Sequence, residues 1–164
     1  MLLVGVTVTL AATAGAFLAF GEAIAEPAPR TSFAATADAT DGWPDGQRLQ
    51  VVHRGGDPVA VADLTLVVSV PRVDARARLS GFPTRRLTDE HVRGRDVFDA
   101  GYAGVDGALD AAHTDGTWSA GESTAIRVAQ GELDLRPGDR VRVEVVHRPS
   151  NAVLARLAVR ATGS

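Results

Sequence analysis

Apolar side chains are arranged in two different ways along the 164 residues of this chain. Residues 1–21 contain no charged side chain, and a helix of that length would be roughly 30 Å long, which is the thickness of a bilayer core. Glu22 and Glu26 end the apolar run, and Pro27 and Pro29 would break a helix there. The pattern predicts a hydrophobic N-terminal helix over residues 1–26.

After residue 30, apolar residues recur at every second position, which is typical of strands with one buried face. The clearest runs are at 31–37, 48–51, 64–70, 126–128, 140–146 and 153–160. Turn residues separate the runs, and Pro149-Ser150-Asn151 joins the last two into a predicted hairpin over 140–160. About seven such strands predict a two-sheet antiparallel β-sandwich over residues 27–164.

Small residues give the predicted helix a surface on which other helices can pack. They allow close backbone approach, which is how helices associate in lipid, and the candidates for assembly are Gly5, Ala12, Gly15, Ala16 and Ala19. The length also fits a plain transmembrane anchor. A cleaved signal peptide is a third interpretation, with Ala23-Ile24-Ala25 as its cleavage site.

Charge is unevenly distributed in a chain whose formal net charge is −3, a value that disfavours nucleic acid as a partner. Residues 72–95 contain seven arginines against three acidic residues. This segment is a candidate partner surface, represented by Arg72, Arg76, Arg78, Arg85 and Arg86. The alternative interpretation is a solvated edge or loop.

The sequence offers little reactive chemistry. It has no cysteine, so neither a disulfide nor a thiolate is available. We interpret His53 and His147 as surface or rim residues at strand ends, and Trp43 and Trp118 as core or sheet-edge residues. The one metal-like cluster, at 106–115, lacks the ligand spacing of a calcium loop. We therefore expect no catalytic residues, no cofactor, no metal site and no enzymatic activity.

The N-terminal run LLVGVTVTLAATAGAFLAFGEAIAEPAPRTSF (residues 2–33) resembles the start of haloarchaeal type IV pilin-like proteins, which share their N-terminal helix with archaellins. Weaker similarities to that family lie at 49–68, at TWSAGES (117–123) and at 138–159. Residues 71–116 match the family poorly. The resemblance therefore covers most of the chain, and its specific part is the N-terminal run.

The resemblance implies a mainly β protein with one long N-terminal α-helix and an Ig-like antiparallel β-sandwich of about seven strands. It implies a structural subunit of an archaeal type IV pilus-like surface filament, either a pilin or a minor pilin, whose partners are other pilin subunits. Before assembly the helix would lie in the cell membrane with the β domain outside. Filaments of this family are adhesive or motile, so the resemblance leaves open a surface adhesion target that it does not identify.

Two alternatives to polymerisation remain open at this point. One is a membrane-anchored extracellular binding or adhesion protein, for which the arginine-rich segment is the first candidate surface. The other is a secreted domain released by cleavage after Ala25. Precursors of the pilin family carry a short basic leader, and Met1 here falls inside the apolar run. We expect that the true start lies upstream or that the protein is not processed in this way.

Overall fold

The computed structural model describes residues 26–40, 46–95, 98, 104–129 and 133–163. Its strands, numbered in chain order, are β1 (Thr31–Asp38), β2 (Arg48–Gly56), β3 (Val59–Ala60), β4 (Leu64–Val70), β5 (Ala75–Leu79), β6 (Val92–Gly94), β7 (Val105–Gly107), β8 (Thr117–Trp118), β9 (Ser123–Arg127), β10 (Arg140–His147) and β11 (Ala152–Thr162). Two single-turn 3₁₀ helices, Val61–Asp63 and Pro71–Val73, flank β4.

Nine of these strands form one curled sheet in the order β6-β5-β4-β10-β11-β1-β2-β9-β7, and β3 pairs with β8 separately. The neighbouring strands are antiparallel, except that β1 and β11 are parallel. The two ends of the sheet share one hydrophobic core. Phe33 and Ile126 from one end belong to the same buried cluster as Leu66 and Val143 from the other.

The predicted fold class, mainly β with one long N-terminal helix, is corrected to all β for the described residues, where no helix of seven or more residues occurs. In that part of the chain no helix has the length and apolar character to cross a membrane, so the predicted transmembrane helix is not found there. Residues 1–25 of the predicted helix lie outside the described residues. The predicted assembly positions Gly5, Ala12, Gly15, Ala16 and Ala19 lie outside the described residues. Pro27 and Pro29 lie in an irregular segment that leads into β1.

The predicted sandwich of two separate sheets and about seven strands is also wrong, because β1 joins both halves. It pairs with β2 along its whole length and with β11 at Ala37↔Ala161 and Asp38↔Thr162. The N–H of Ala39 adds a 2.6 Å hydrogen bond to the carbonyl of Thr162. The alternation within β1 or within β11 does not indicate which distant strand each one pairs with. The sequence pattern could therefore not predict the pairing of β1 with β11.

The hairpin predicted over 140–160 is confirmed, since β10 and β11 pair antiparallel from Arg140↔Arg160 to His147↔Ala152. A β-bulge between Val145 and Val146 shifts the register and leaves Leu154 as the extra residue of β11. In β11 the bulge exchanges the buried and exposed faces for the residues that precede Leu154. Val153, which simple alternation places inside, is therefore 36% exposed.

Candidate functional site

One opening described in the fold is a shallow cleft where the segment before β1 lies beside the start of β11, and we call it the β1–β11 cleft. The two parallel strands are bridged at Ala37↔Ala161 and Asp38↔Thr162 and run side by side along most of β1, so the cleft lies at the opposite end of their seam. It measures about 530 Å³. Its walls are the segment Ala28–Ser32, the end of β2 at Gly55–Gly56 and the start of β11 at Ala152–Leu154.

Local backbone contacts hold the start of β1 against β2 and so keep the cleft open. Arg30 donates its N–H to the Asp57 carboxylate at 2.9 Å, and the Asp57 N–H returns a 2.8 Å bond to the Arg30 carbonyl. Gly56 has φ +100°, and a Cβ at this position would lie 2.1 Å from the Arg30 oxygen. Only glycine therefore permits this approach of β2 to the segment before β1.

The walls of the cleft combine apolar and polar groups. Val153 is exposed, and Leu154 packs against the core but remains partly exposed. The Thr31 hydroxyl is buried and has no hydrogen-bond partner among the described residues. A shallow hollow of this kind suits contact with another protein surface.

The outer edges of the sheet are built differently from this inner seam. The two edge strands, β6 and β7, are three residues long each, and Arg93 and Asp106 place charges on them. Short and charged edges resist pairing with other chains.

The structure separates the arginines of the predicted partner surface. Arg76 and Arg78 lie on the outward face of β5, beside a second hollow of about 370 Å³ that Glu144 and Val146 also line. Arg76 approaches Glu144 at 3.9 Å. Exposed Arg86 follows in the irregular segment after β5.

Arg72 and Arg85 form ion pairs at other places in the fold. The Arg72 guanidinium bonds the buried Asp139 carboxylate at 2.7 Å and the Asp134 carbonyl at 2.6 Å. This hydrogen bond is the main reason why the pKa of Asp139 is lowered and that of Arg72 is raised. Arg85 lies 3.5 Å from the buried Asp110 carboxylate. Both arginines therefore fix loops to the domain.

Asp106, Asp110 and His113 form the one described cluster whose ligand atoms lie close enough to hold a metal ion, all within 4.8 Å of one another. Burial alone would raise the pKa of Asp110, but the Ala112 N–H and the His113 ring outweigh it and lower that pKa. The Asp110–His113 bond is 2.6 Å long. Asp110 is thus already engaged within the protein, and the nearby Arg85 disfavours a cation.

Replacing Asp110 with alanine is expected to lower the free energy of unfolding by about 2 kcal/mol, because its buried acceptors serve several donors. His113→Ala is expected to lower it by less than about 1 kcal/mol, since that side chain is exposed. Urea unfolding of the two variants in parallel tests this difference. Equal losses would show that the His113 contact accounts for the role of Asp110.

Two histidines predicted to lie on the surface are buried instead. His53 is 0% exposed, and its ring lies 4.8 Å from that of Phe33 and 6.5 Å from that of Trp118. His147 is also buried and bonds Ser150 at 2.8 Å. The alternation of β2 predicts that His53 is buried, because it lies on the same face as Leu49 and Val51. The sequence prediction missed this because it treated histidine as a polar surface residue. Trp118 is confirmed as a core residue, and Trp43 lies outside the described residues.

Comparison with protein-family models and with curated protein sequences finds no match to this chain. The resemblance to pilin-like proteins therefore stays a prediction.

Proposed function

We propose that this protein is a structural subunit of a type IV pilus-like surface filament and that a neighbouring subunit contacts it at the β1–β11 cleft. The cleft is the observation that carries this proposal. It is a shallow hollow whose walls include the exposed Val153 and the partly exposed Leu154, which suits a protein partner better than a small substrate. The partner is another subunit of the same filament, and the site of action is the cell surface.

The contrast between the sheet edges supports the same function. Short, charged edge strands protect the domain from unspecific association, whereas the cleft directs association to one place. A contact between two different surfaces of identical subunits builds an open fibre when the rotation from one subunit to the next does not close a ring.

A charge in the cleft is expected to abolish filaments. Leu154→Arg places a guanidinium among the apolar side chains that a partner would cover, and an unpaired charge buried at an interface is costly. Ala158→Arg is the matched control, because Ala158 lies on the same strand with an exposed side chain. Negative-stain electron microscopy of sheared surface material, with mass spectrometry of the same fraction, provides the measurement.

Both variants are expected to fold, since neither position is fully buried. Thermal unfolding followed by circular dichroism checks this. Normal filaments from the Leu154→Arg chain would contradict a role of the cleft in assembly. Absence of the wild-type chain from every filament preparation would contradict the filament function itself.

A second candidate function has its own observation. The outer hollow on β4, β5 and β10 groups Arg76 and Arg78 around Val67, Val146 and the exposed Val153. A mixed basic and apolar surface of this kind fits a non-polymerising adhesion protein with an acidic partner. On that alternative, Arg76→Glu would weaken adhesion to an acidic surface, and Leu154→Arg would leave adhesion unchanged.

A further inference from the structure

We infer that the outward face of β4, β5, β6, β10 and β11, which we call the arginine face, binds an acidic polysaccharide. The charged residues of these five strands are seven arginines and one glutamate, although the whole chain has a formal net charge of −3. The inference goes beyond the proposed filament function and does not depend on it, because a chain can bind a sugar polymer whether or not it polymerises. It also names a ligand class for the outer hollow beside Arg76 and Arg78, which lies on this face.

Strand pairing places these charges on one surface. Residues directly opposite each other on neighbouring strands point to the same side of a sheet. One row across the sheet therefore runs from Arg93 through Arg78, Val67 and Glu144 to Arg156. The three arginines of this row are exposed, while the residues on either side of position 78 in β5 are buried in the core.

Two further rows add arginines beside the first. Arg76 and Arg142 lie on either side of Ser69, and Arg140 lies opposite Arg160. All four of these arginines are exposed. Like charges directly opposite each other destabilise a sheet, so the Arg140↔Arg160 pair lowers the stability of the fold and a bound anion would relieve that repulsion.

The single acidic side chain does not neutralise the arginine face. Glu144 lies 3.9 Å from Arg76 and 3.6 Å from Arg156, and the two arginine side chains are still 71% and 72% exposed. Arg78 and Arg142 form no ion pair within the described part of the chain. Exposed guanidinium groups bind planar carboxylates through two parallel N–H bonds, which makes a polymer that carries carboxylates a fitting partner.

The outer hollow has the mixed lining that an acidic sugar requires. Its volume is about 370 Å³, and its walls combine Arg76 and Arg78 with Glu144, Asn151 and three valines. The guanidinium groups would bind the carboxylates of the polymer. Glu144 and Asn151 would accept hydrogen bonds from its hydroxyls, and the valine side chains would contact its C–H groups. Each kind of group on the sugar therefore has a counterpart in the hollow.

Other polyanions would use this surface less completely. A polyphosphate chain has no hydroxyl to donate to Glu144 and would be repelled by it. Single-stranded nucleic acid binds by stacking its bases on aromatic rings, and none of the five strands carries Phe, Tyr or Trp. An acidic peptide that adds to a sheet pairs with a strand edge, whereas these arginines lie on the face. The combination of arginine, glutamate and valine favours the acidic sugar.

Binding of the full-length chain in detergent to polygalacturonate tests the inference, with the neutral methyl ester of that polymer as the ligand control. Arg78→Glu is expected to weaken binding about tenfold, because it removes one contact and adds a repulsive charge to the face. Arg54→Glu is the matched control, since Arg54 is an exposed arginine of β2 outside the arginine face. It changes the net charge equally and is expected to alter the affinity less than about twofold.

A second variant separates a sugar from a ligand that is held by charge alone. Glu144→Ala removes an acceptor for hydroxyls and at the same time makes the face more basic. We expect its affinity for polygalacturonate to fall and its affinity for polyphosphate to rise. Circular dichroism of all the variants checks that the β domain is folded. A rise in affinity for both polymers would overturn the choice of a sugar.

The other outcomes are equally decisive. Failure of the wild-type chain to bind polygalacturonate, or equal binding of the neutral ester, would overturn the inference. Equal losses from Arg78→Glu and Arg54→Glu would reduce the binding to general attraction and remove the site. Tighter binding of polyphosphate or polyglutamate by the wild-type chain would overturn the ligand class. The assay does not depend on polymerisation, so a chain that never enters filaments would refute the proposed function and leave this inference standing.

Discussion

Replacing Trp118 with alanine is expected to lower the free energy of unfolding by about 3–5 kcal/mol. Among the described residues Trp118 is the largest fully buried side chain, at 0% exposure, and its ring meets that of Phe33 edge-on at 5.1 Å. Its indole N–H donates a 3.0 Å hydrogen bond to the Glu122 carbonyl. Alanine would leave a cavity, remove the ring contacts and leave that carbonyl without this donor.

The matched control is Trp118→Phe, which keeps an aromatic ring and loses the N–H donor. Its expected cost is about 1–2 kcal/mol, the range for one lost buried hydrogen bond with a small change in volume. Guanidinium unfolding of both variants, followed by circular dichroism, measures the two free energies. A loss below about 1 kcal/mol for Trp118→Ala would mean that the core collapses around the missing ring, contrary to our expectation.

Replacing Asp139 with alanine is expected to lower the free energy of unfolding by about 3 kcal/mol. The buried Asp139 carboxylate accepts bonds from the Arg72 guanidinium at 2.7 Å and from the Arg136 N–H at 2.9 Å. It thereby joins the turn after β4 to the turn that leads into β10. Its loss would leave two donors without their acceptor at the junction of these turns.

The contribution of Asp139 should depend on pH in a defined direction. Because its pKa is lower in the folded chain than in the unfolded one, its stabilising effect is complete above about pH 4 and disappears as the pH falls through the folded value. Asp139→Asn should therefore be less stable than wild type at pH 7 and approach it in strong acid. Urea unfolding at pH 7, 4 and 2.5 tests this, and a stability difference that persists unchanged at pH 2.5 would contradict it.

The sequence predicted those parts of the fold that depend on local periodicity. The hairpin of β10 and β11 follows from alternation on both sides of a turn, and the structure confirms it. Alternation failed at Val153, because a bulge inserts one residue and exchanges the faces of the strand. Such a bulge arises from the fit between two strands, and neither strand shows it alone.

The candidate site was beyond the reach of sequence reasoning for a related physical reason. The cleft exists because the start of β11 lies beside the segment before β1, which is a property of two segments more than a hundred residues apart. The arginine-rich segment attracted attention by composition, yet Arg72 pairs with an acidic residue that lies far along the chain. Composition shows where charges occur, and only the fold shows which of them neutralise each other.

The parallel pairing of β1 and β11 has a geometric consequence for the two ends of the domain. Both strands run in the same direction at the seam, so the start of β11 lies near the segment before β1 and the end of β11 lies beside the end of β1. The segment before β1 and the end of β11 therefore lie at opposite ends of the seam. A force that separates these two ends would act along the strands, in shear, and would not peel them apart one residue at a time.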